Sequence, residues 1–204
     1  MITIIDYGVG NIGSIQNMLN KIGHDSIITS DPDEIEASKK LILPGVGKFD
    51  YGIQQLRERN IIEVLNKKVL GDKVPILGIC LGLQLFTKKS EEGDTPGLDW
   101  IDAETVKFKF KNQPNLKIPN MGWLNTEVKK ESKLFTDMPL DPRFYFVHSY
   151  HLKCATSQNV ILSATYGYEY TCAIEKENIL GVQFHPEKSH KFGMKLLQNF
   201  VELY

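Results

Sequence analysis

The chain has 204 residues, of which 42% are hydrophobic and 24% charged, enough to bury a sizeable core in one domain. Its formal net charge of -1 supplies no general basic surface, which argues against nucleic acid and anionic membranes as partners. Three scattered cysteines make neither a disulfide framework nor a CxxC zinc site, and no signal-like start or membrane-length apolar run is present, so a cytoplasmic protein with reduced thiols is expected.

In chain order, Ile2-Thr3-Ile4-Ile5 predicts a first strand that ends at Asp6 and a glycine turn. Apolar residues at Ile12, Ile15, Leu19 and Ile22 follow at helical spacing. Asp25 to Thr29 and Lys40 to Leu43 predict two further strands, the second closed by Pro44-Gly45. Residues 50–70 are expected to be mainly helical, with Ile53, Leu56, Ile61, Leu65 and Val69 turned to the core. Pro75 to Ile79 predicts a fourth strand, followed by a turn at Cys80 and a helix through Phe86. Strands alternating with helices imply an α/β fold with a mostly parallel central sheet flanked by helices. Residues 101–110, 124–130 and parts of 143–175 alternate apolar and polar positions, predicting additional antiparallel strands in the second half. Residues 91–99 read as a surface loop, and Phe192 to Leu203 as a closing amphipathic helix. No repeat or linker interrupts the chain, so residues 1–204 are expected to form a single domain.

Gly78-Ile79-Cys80-Leu81-Gly82 has the G-x-C-x-G form of a strand–nucleophile–helix elbow, with cysteine in the serine position. At the start of a helix the thiolate is favoured, and the Leu81 N–H would face the oxygen of a tetrahedral adduct. A buried structural cysteine in a glycine-spaced turn accounts for the same stretch without chemistry. A cysteine nucleophile needs a base and an orienting group. Pro186 biases His185 towards extended backbone, so His185 and Glu187 project to one side, where the carboxylate can fix the imidazole tautomer. A proline loop carrying two surface polar residues is the plainer alternative.

Gly8-Val9-Gly10-Asn11-Ile12-Gly13, with Asp31 further on, has the spacing of a dinucleotide-binding turn. Asp6 beside it, and the position of Asp31 beyond the second strand, count against that use. His148 and His151 lack the further ligands of a metal site, so neither metal nor cofactor is expected.

Several motifs in order carry a resemblance: DYGVGN at 6–11, PGVGKF at 44–49, GICLGLQ at 78–84, MGW at 121–123, YFVHSY at 145–150 and GVQFHPEKS at 181–189. Together they resemble class I (triad) glutamine amidotransferases, and most closely the HisH-type glutaminase subunits of imidazole glycerol phosphate synthase. The resemblance implies hydrolysis of glutamine to glutamate, with ammonia passed to a HisF-type (β/α)8-barrel synthase subunit in a heterodimer of histidine biosynthesis. It implies Cys80 as nucleophile, His185 as base and then acid, and Glu187 as its orienting carboxylate. Gln84, Gly45 and the backbone at Ser149 and Tyr150 would hold the substrate, and Leu81 with the Val46-Gly47 peptide would form the oxyanion hole. Asn11, Met121, Gly122, Trp123, Tyr145 and His148 would lie at or near the partner interface.

Two departures bear on the acceptor. Pro119-Asn120-Met121-Gly122-Trp123-Leu124 stands where the family usually reads PHMGWN. Ser189 to Met194 resembles a paralogous branch that supplies ammonia to a third, sugar-amidating enzyme.

Overall fold

The computed structural model describes residues 1–111 and 113–204. Strand β1 (Ile2–Ile5) is buried at every position, as a run without a polar face must be, and lies between β2 (Ser26–Thr29) and β3 (Lys40–Gly45). Beyond β3 come β4 (Ile76–Cys80) and β11 (Ile179–Val182), giving five parallel strands in the order β2-β1-β3-β4-β11. The sheet continues antiparallel through β10 (Tyr168–Lys176), β9 (Val160–Tyr166), β6 (Asn120–Val128) and β7 (Arg143–His148). A side branch of β5 (Ala103–Lys107) and β8 (Tyr150–Cys154) joins at β10.

Alternate residues of the parallel strands feed two cores. On one face Ile4, Ile42 and Leu77 cluster with Ile15 and Leu19 of α1 (Ile12–Lys21) and with Leu196, Leu197 and Phe200 of α6 (His190–Leu203). On the other, Ile5, Leu41, Leu43 and Ile76 cluster with residues of α3 (Phe49–Glu58), α4 (Ile61–Asn66) and α5 (Leu81–Leu85). Each fully buried Leu or Ile in these layers contributes roughly 1.5–3 kcal/mol.

Against the sequence reading, the structure refines three elements and adds a short helix and a strand. Residues 50–70 are mainly helical, as expected, but Asn60 adopts a left-handed φ of 57° that ends α3 and restarts the chain as α4. Strand β6 begins at Asn120, ahead of the expected 124, and α6 begins two residues early at His190. A short helix, α2 (Pro32–Glu36), follows β2, with the Asp31 carboxylate accepting from the Asp33 N–H at 2.9 Å and Pro32 in its first turn. Strand β11 had no periodicity to announce it, since ILGV is buried throughout. Among the described residues, no helix is long and apolar enough to cross a membrane.

Candidate active site

Strand β4 runs into Cys80, which holds φ 54° and ψ -107°, and α5 begins at the next residue. A non-glycine residue there is strained, by about 1–3 kcal/mol, and surrounding contacts must enforce it. The flanking glycines show how. A Cβ on Gly78 would stand 2.6 Å from the Phe86 ring and 2.8 Å from the Leu83 nitrogen, and one on Gly82 would overlap the Leu43 carbonyl. Both glycines therefore let α5 lie directly on β3 and β4, which forces the sharp turn at the thiol. Cys80 is 7% exposed and opens on a cavity of about 370 Å³ that Val46, Gly47, Leu81, Gln84, Ser149 and Tyr150 also line.

The second half of the site arrives through strand register. Gly181 pairs with Gly78 and Val182 with Ile79, so the chain leaving β11 passes beside Cys80. Imidazole His185 is buried there, its Nδ1 2.8 Å from Glu187 Oε1, and both side chains are 2% exposed. Its main chain is clamped to β7. The His185 N–H donates to the Tyr145 carbonyl at 2.9 Å, while Ser189 Oγ donates to the His185 carbonyl at 2.6 Å and accepts from the Tyr145 N–H at 3.0 Å. Because a carboxylate only accepts, Nδ1 carries the hydrogen and Nε2 is left over. That Nε2 is buried without a hydrogen-bond partner. Burial opposes a charge on His185, but the Cys80 sulfur and the Glu187 carboxylate outweigh it and hold the imidazole up at about 10.

Next to the thiol lies a residue that sequence reasoning passed over. Gln183 is fully buried, with Nε2 3.7 Å from Cys80 Sγ and Oε1 3.1 Å from Gln84 Nε2. Its two-residue spacing from the extended His185 is the signal that could find it, whereas Glu187, expected on the same extended run, lies in a 3-10 turn at Pro186–Lys188. Gln84 also donates to the Tyr150 carbonyl at 3.1 Å, which accepts from His148 Nδ1 at 2.7 Å as well. The Tyr150 carbonyl thus has both lone pairs occupied, while that of Ser149 accepts from the Phe108 N–H at 3.1 Å and keeps one free. Gly45 pairs with Cys80 across β3 and β4 and packs under the Tyr7 hydroxyl. Gly47 has φ 117° and nothing within 4 Å of a would-be Cβ, so no packing fixes the exposed Val46-Gly47 peptide.

The expected interface residues share one side of the molecule, with one correction. On β6, Met121 is 63% and Trp123 40% exposed, with the half-buried Gly122 between them. The Trp123 ring stacks on His190 at 5.5 Å, and the Arg143 guanidinium lies 5.8 Å from it. Half-buried Tyr145 carries the Lys188 ammonium 5.6 Å above its ring. Asn11 is exposed and accepts from the Ser14 hydroxyl, and Ser14 borders the cleft that Lys188 and His190 line. His148, in contrast, is no surface residue. It is 5% exposed, lines the cavity that holds Cys80, and is satisfied by the Tyr150 carbonyl, Asn120 and Tyr170.

The glycine run at 8–13 does not open a phosphate cradle. Gly10 sits against the backbone of Pro44 and Gly45, Asp6 accepts from the Gly8 N–H at 3.0 Å, and Asp31 is committed to capping α2. Among the described residues, no group of three or more His, Cys, Asp or Glu side chains could hold a metal ion, and Cys80, Cys154 and Cys172 are free thiols.

Comparison with known proteins places this constellation. The family model for class I glutamine amidotransferases matches residues 3–203. The chain is 54% identical over 202 residues to imidazole glycerol phosphate synthase subunit HisH 2 of Methanococcus maripaludis, covering 99% of each. It is 45% identical over 203 residues to the subunit of the same name from Pseudomonas aeruginosa, covering 100% of each. A solved glutamine amidotransferase shares the fold at a TM-score of 0.75 and 19% identity, over 100% of this chain and 98% of that one. The chain belongs to the class I glutamine amidotransferases, in the group of the HisH subunits of imidazole glycerol phosphate synthase.

Proposed function

We propose that this chain is the glutaminase subunit of an imidazole glycerol phosphate synthase, hydrolysing glutamine and delivering ammonia to a HisF-type (β/α)8-barrel subunit. One observation carries the reading. Parallel register brings His185, oriented by Glu187 and with Nε2 unpartnered, beside a cysteine held at positive φ in a cavity sized for a small amino acid. Nε2 of His185 holds the proton drawn from the Cys80 thiol, and the thiolate attacks the side-chain carboxamide carbon of glutamine. That proton goes to the departing ammonia, leaving a thioester on Cys80. Water, deprotonated by the same nitrogen, then releases glutamate and restores the thiol. The Leu81 N–H and a turned Val46-Gly47 peptide stabilise the tetrahedral oxygen, and Gln84, Gly45 and the Ser149–Tyr150 backbone bound the substrate.

Full-length identity to HisH subunits favours the histidine-pathway acceptor over the sugar-amidating branch. Ammonia is lost to solvent unless a second protein covers its exit, and exposed Met121 and Trp123 are the surface for that contact. The test is glutamate release by the purified chain, with and without a HisF-type subunit and its acceptor substrate. Partner-stimulated release that vanishes in Cys80→Ala is expected. Equal release from Cys80→Ala, or no release with any such subunit, would refute the reading.

A further inference from the structure

Gln183 is fully buried at the end of β11, where its carboxamide must find partners among side chains. Its Oε1 accepts from Gln84 Nε2 at 3.1 Å, and Gln84 gives its other hydrogen to the Tyr150 carbonyl at 3.1 Å. Since the Tyr150 acceptor is a main-chain carbonyl oxygen, the Gln84 end must be nitrogen, and the atom of Gln183 that faces it must then be oxygen. The Nε2 end of Gln183 therefore points at Cys80 Sγ, at 3.7 Å. The Tyr150 carbonyl is itself pinned by His148 Nδ1–H at 2.7 Å. His148 Nε2, left without a hydrogen, accepts from Asn120 Nδ2 at 3.2 Å. Each link removes one freedom from the next, and the last one aims an N–H at the sulfur.

We propose that Gln183 is a positioning residue for the nucleophile: its amide N–H donates to the Cys80 sulfur, favouring the thiolate and holding it towards the cavity. The proposal rests on the reading of Cys80 as the attacking group. An N–H donated to an ionised acceptor stabilises the ionised form, and it acts from one direction, which the field of the neighbouring imidazole alone does not. Gln183 gives up no proton in this role. The titratable groups facing the sulfur are His185, from the segment after β11, and Tyr7, from the end of β1, while Glu92 of the loop after α5, His148 of β7 and Tyr150 of β8 line the same cavity.

The test reads the thiol directly. The rate of Cys80 alkylation by iodoacetamide, followed by peptide mass spectrometry across pH, reports its thiolate fraction without substrate or partner. Gln183→Met keeps the side-chain volume and removes the N–H, and should move the alkylation midpoint upward by about one pH unit. With the partner present it should lower kcat for glutamine roughly tenfold and leave KM within about twofold. Gln183→Glu keeps an oxygen for Gln84 but sets an acceptor against the sulfur, so its midpoint should rise further. Unchanged midpoints in both folded variants would overturn the proposal, and so would failure of both to fold, which would assign Gln183 to packing. Absence of glutamate release by the unmodified chain would instead strike the function proposed above, and the two midpoints would still decide this one.

Discussion

Glu187 Oε1 lies 2.8 Å from His185 Nδ1, in a pair whose side chains are almost completely removed from water. The carboxylate selects the tautomer and balances the charge that the imidazole gains when it takes a proton. The two residues should therefore fail differently. His185→Asn removes the proton acceptor and should cost on the order of 10²-fold or more in kcat. Glu187→Gln can still hold the ring in place but not its charge, so it should leave weaker, measurable turnover. Steady-state glutamate release with partner present separates them, and near-normal turnover in His185→Asn would show that another group is the base.

Trp123 is 40% exposed on β6, with His190, Tyr145 and Arg143 packed around its ring. Such an aromatic anchor commonly carries a large share of an interface. Trp123→Ala should weaken partner binding by roughly 2 kcal/mol while leaving the unfolding midpoint of the isolated chain nearly unchanged. Titration calorimetry against the HisF-type subunit checks the first, and thermal unfolding the second.

Tyr7 is fully buried, and its hydroxyl finds no partner although it presses against Gly45. Burial, with the Cys80 sulfur nearby, pushes the phenol far above its ordinary value, so it stays neutral. An unsatisfied buried hydroxyl destabilises the fold. Tyr7→Phe should accordingly gain about 1 kcal/mol, or about 2–4 °C in Tm. Gly45→Ala should lose roughly 1–3 kcal/mol, because the new methyl runs into that hydroxyl and comes within 2.9 Å of Leu81 Cβ. Calorimetric scans of the two variants should move in opposite directions.

Acid should weaken the fold through His148. Burial lowers its pKa from the ordinary 6.5 to about 3, against the hydrogen bond to the Tyr150 carbonyl and with help from His151 and His185. As pH falls below 6.5 the unfolded chain takes up the proton first, so the stability carried by neutral His148 is complete above that pH and is lost towards 3. The slope approaches about 1.4 kcal/mol per pH unit for this one group. His151, also lowered by burial, adds in the same direction. His185, raised instead, gives its stability below the unfolded value and loses it as pH climbs towards about 10. Urea unfolding between about pH 4.5 and 7 should show a shallower acid loss in His148→Gln than in the unmodified chain.

The features legible in the sequence were those written in short-range chemistry. The short β-branched run of β1, the apolar run of β4 and the glycines two residues either side of Cys80 each state a local geometry that tertiary contacts did not override. What could not be read depended on distant partners. The β11 run of four buried residues has no period of its own and becomes a strand only between β4 and β10. The resemblance puts His148 at or near the partner interface, but its burial shows only in the fold, where three hydrogen bonds with groups of β6, β8 and β10 offset its desolvation. Gln183 carried a period-two signal, but only the Cys80 sulfur at 3.7 Å gives that signal a meaning.

The thiol and the imidazole are brought together by adjacent rungs of one parallel ladder, Gly78 with Gly181 and Ile79 with Val182. Everything the chain does between leaving α5 and re-entering at β11 is a detour from those rungs. Lengthening or shortening the loops of that detour changes neither the pairing nor the separation of the reacting atoms. Within the antiparallel half, Tyr145 still clamps the His185 backbone and Ser149 and Tyr150 still wall the cavity, so the part left open to change is the exposed rim that bears Met121 and Trp123.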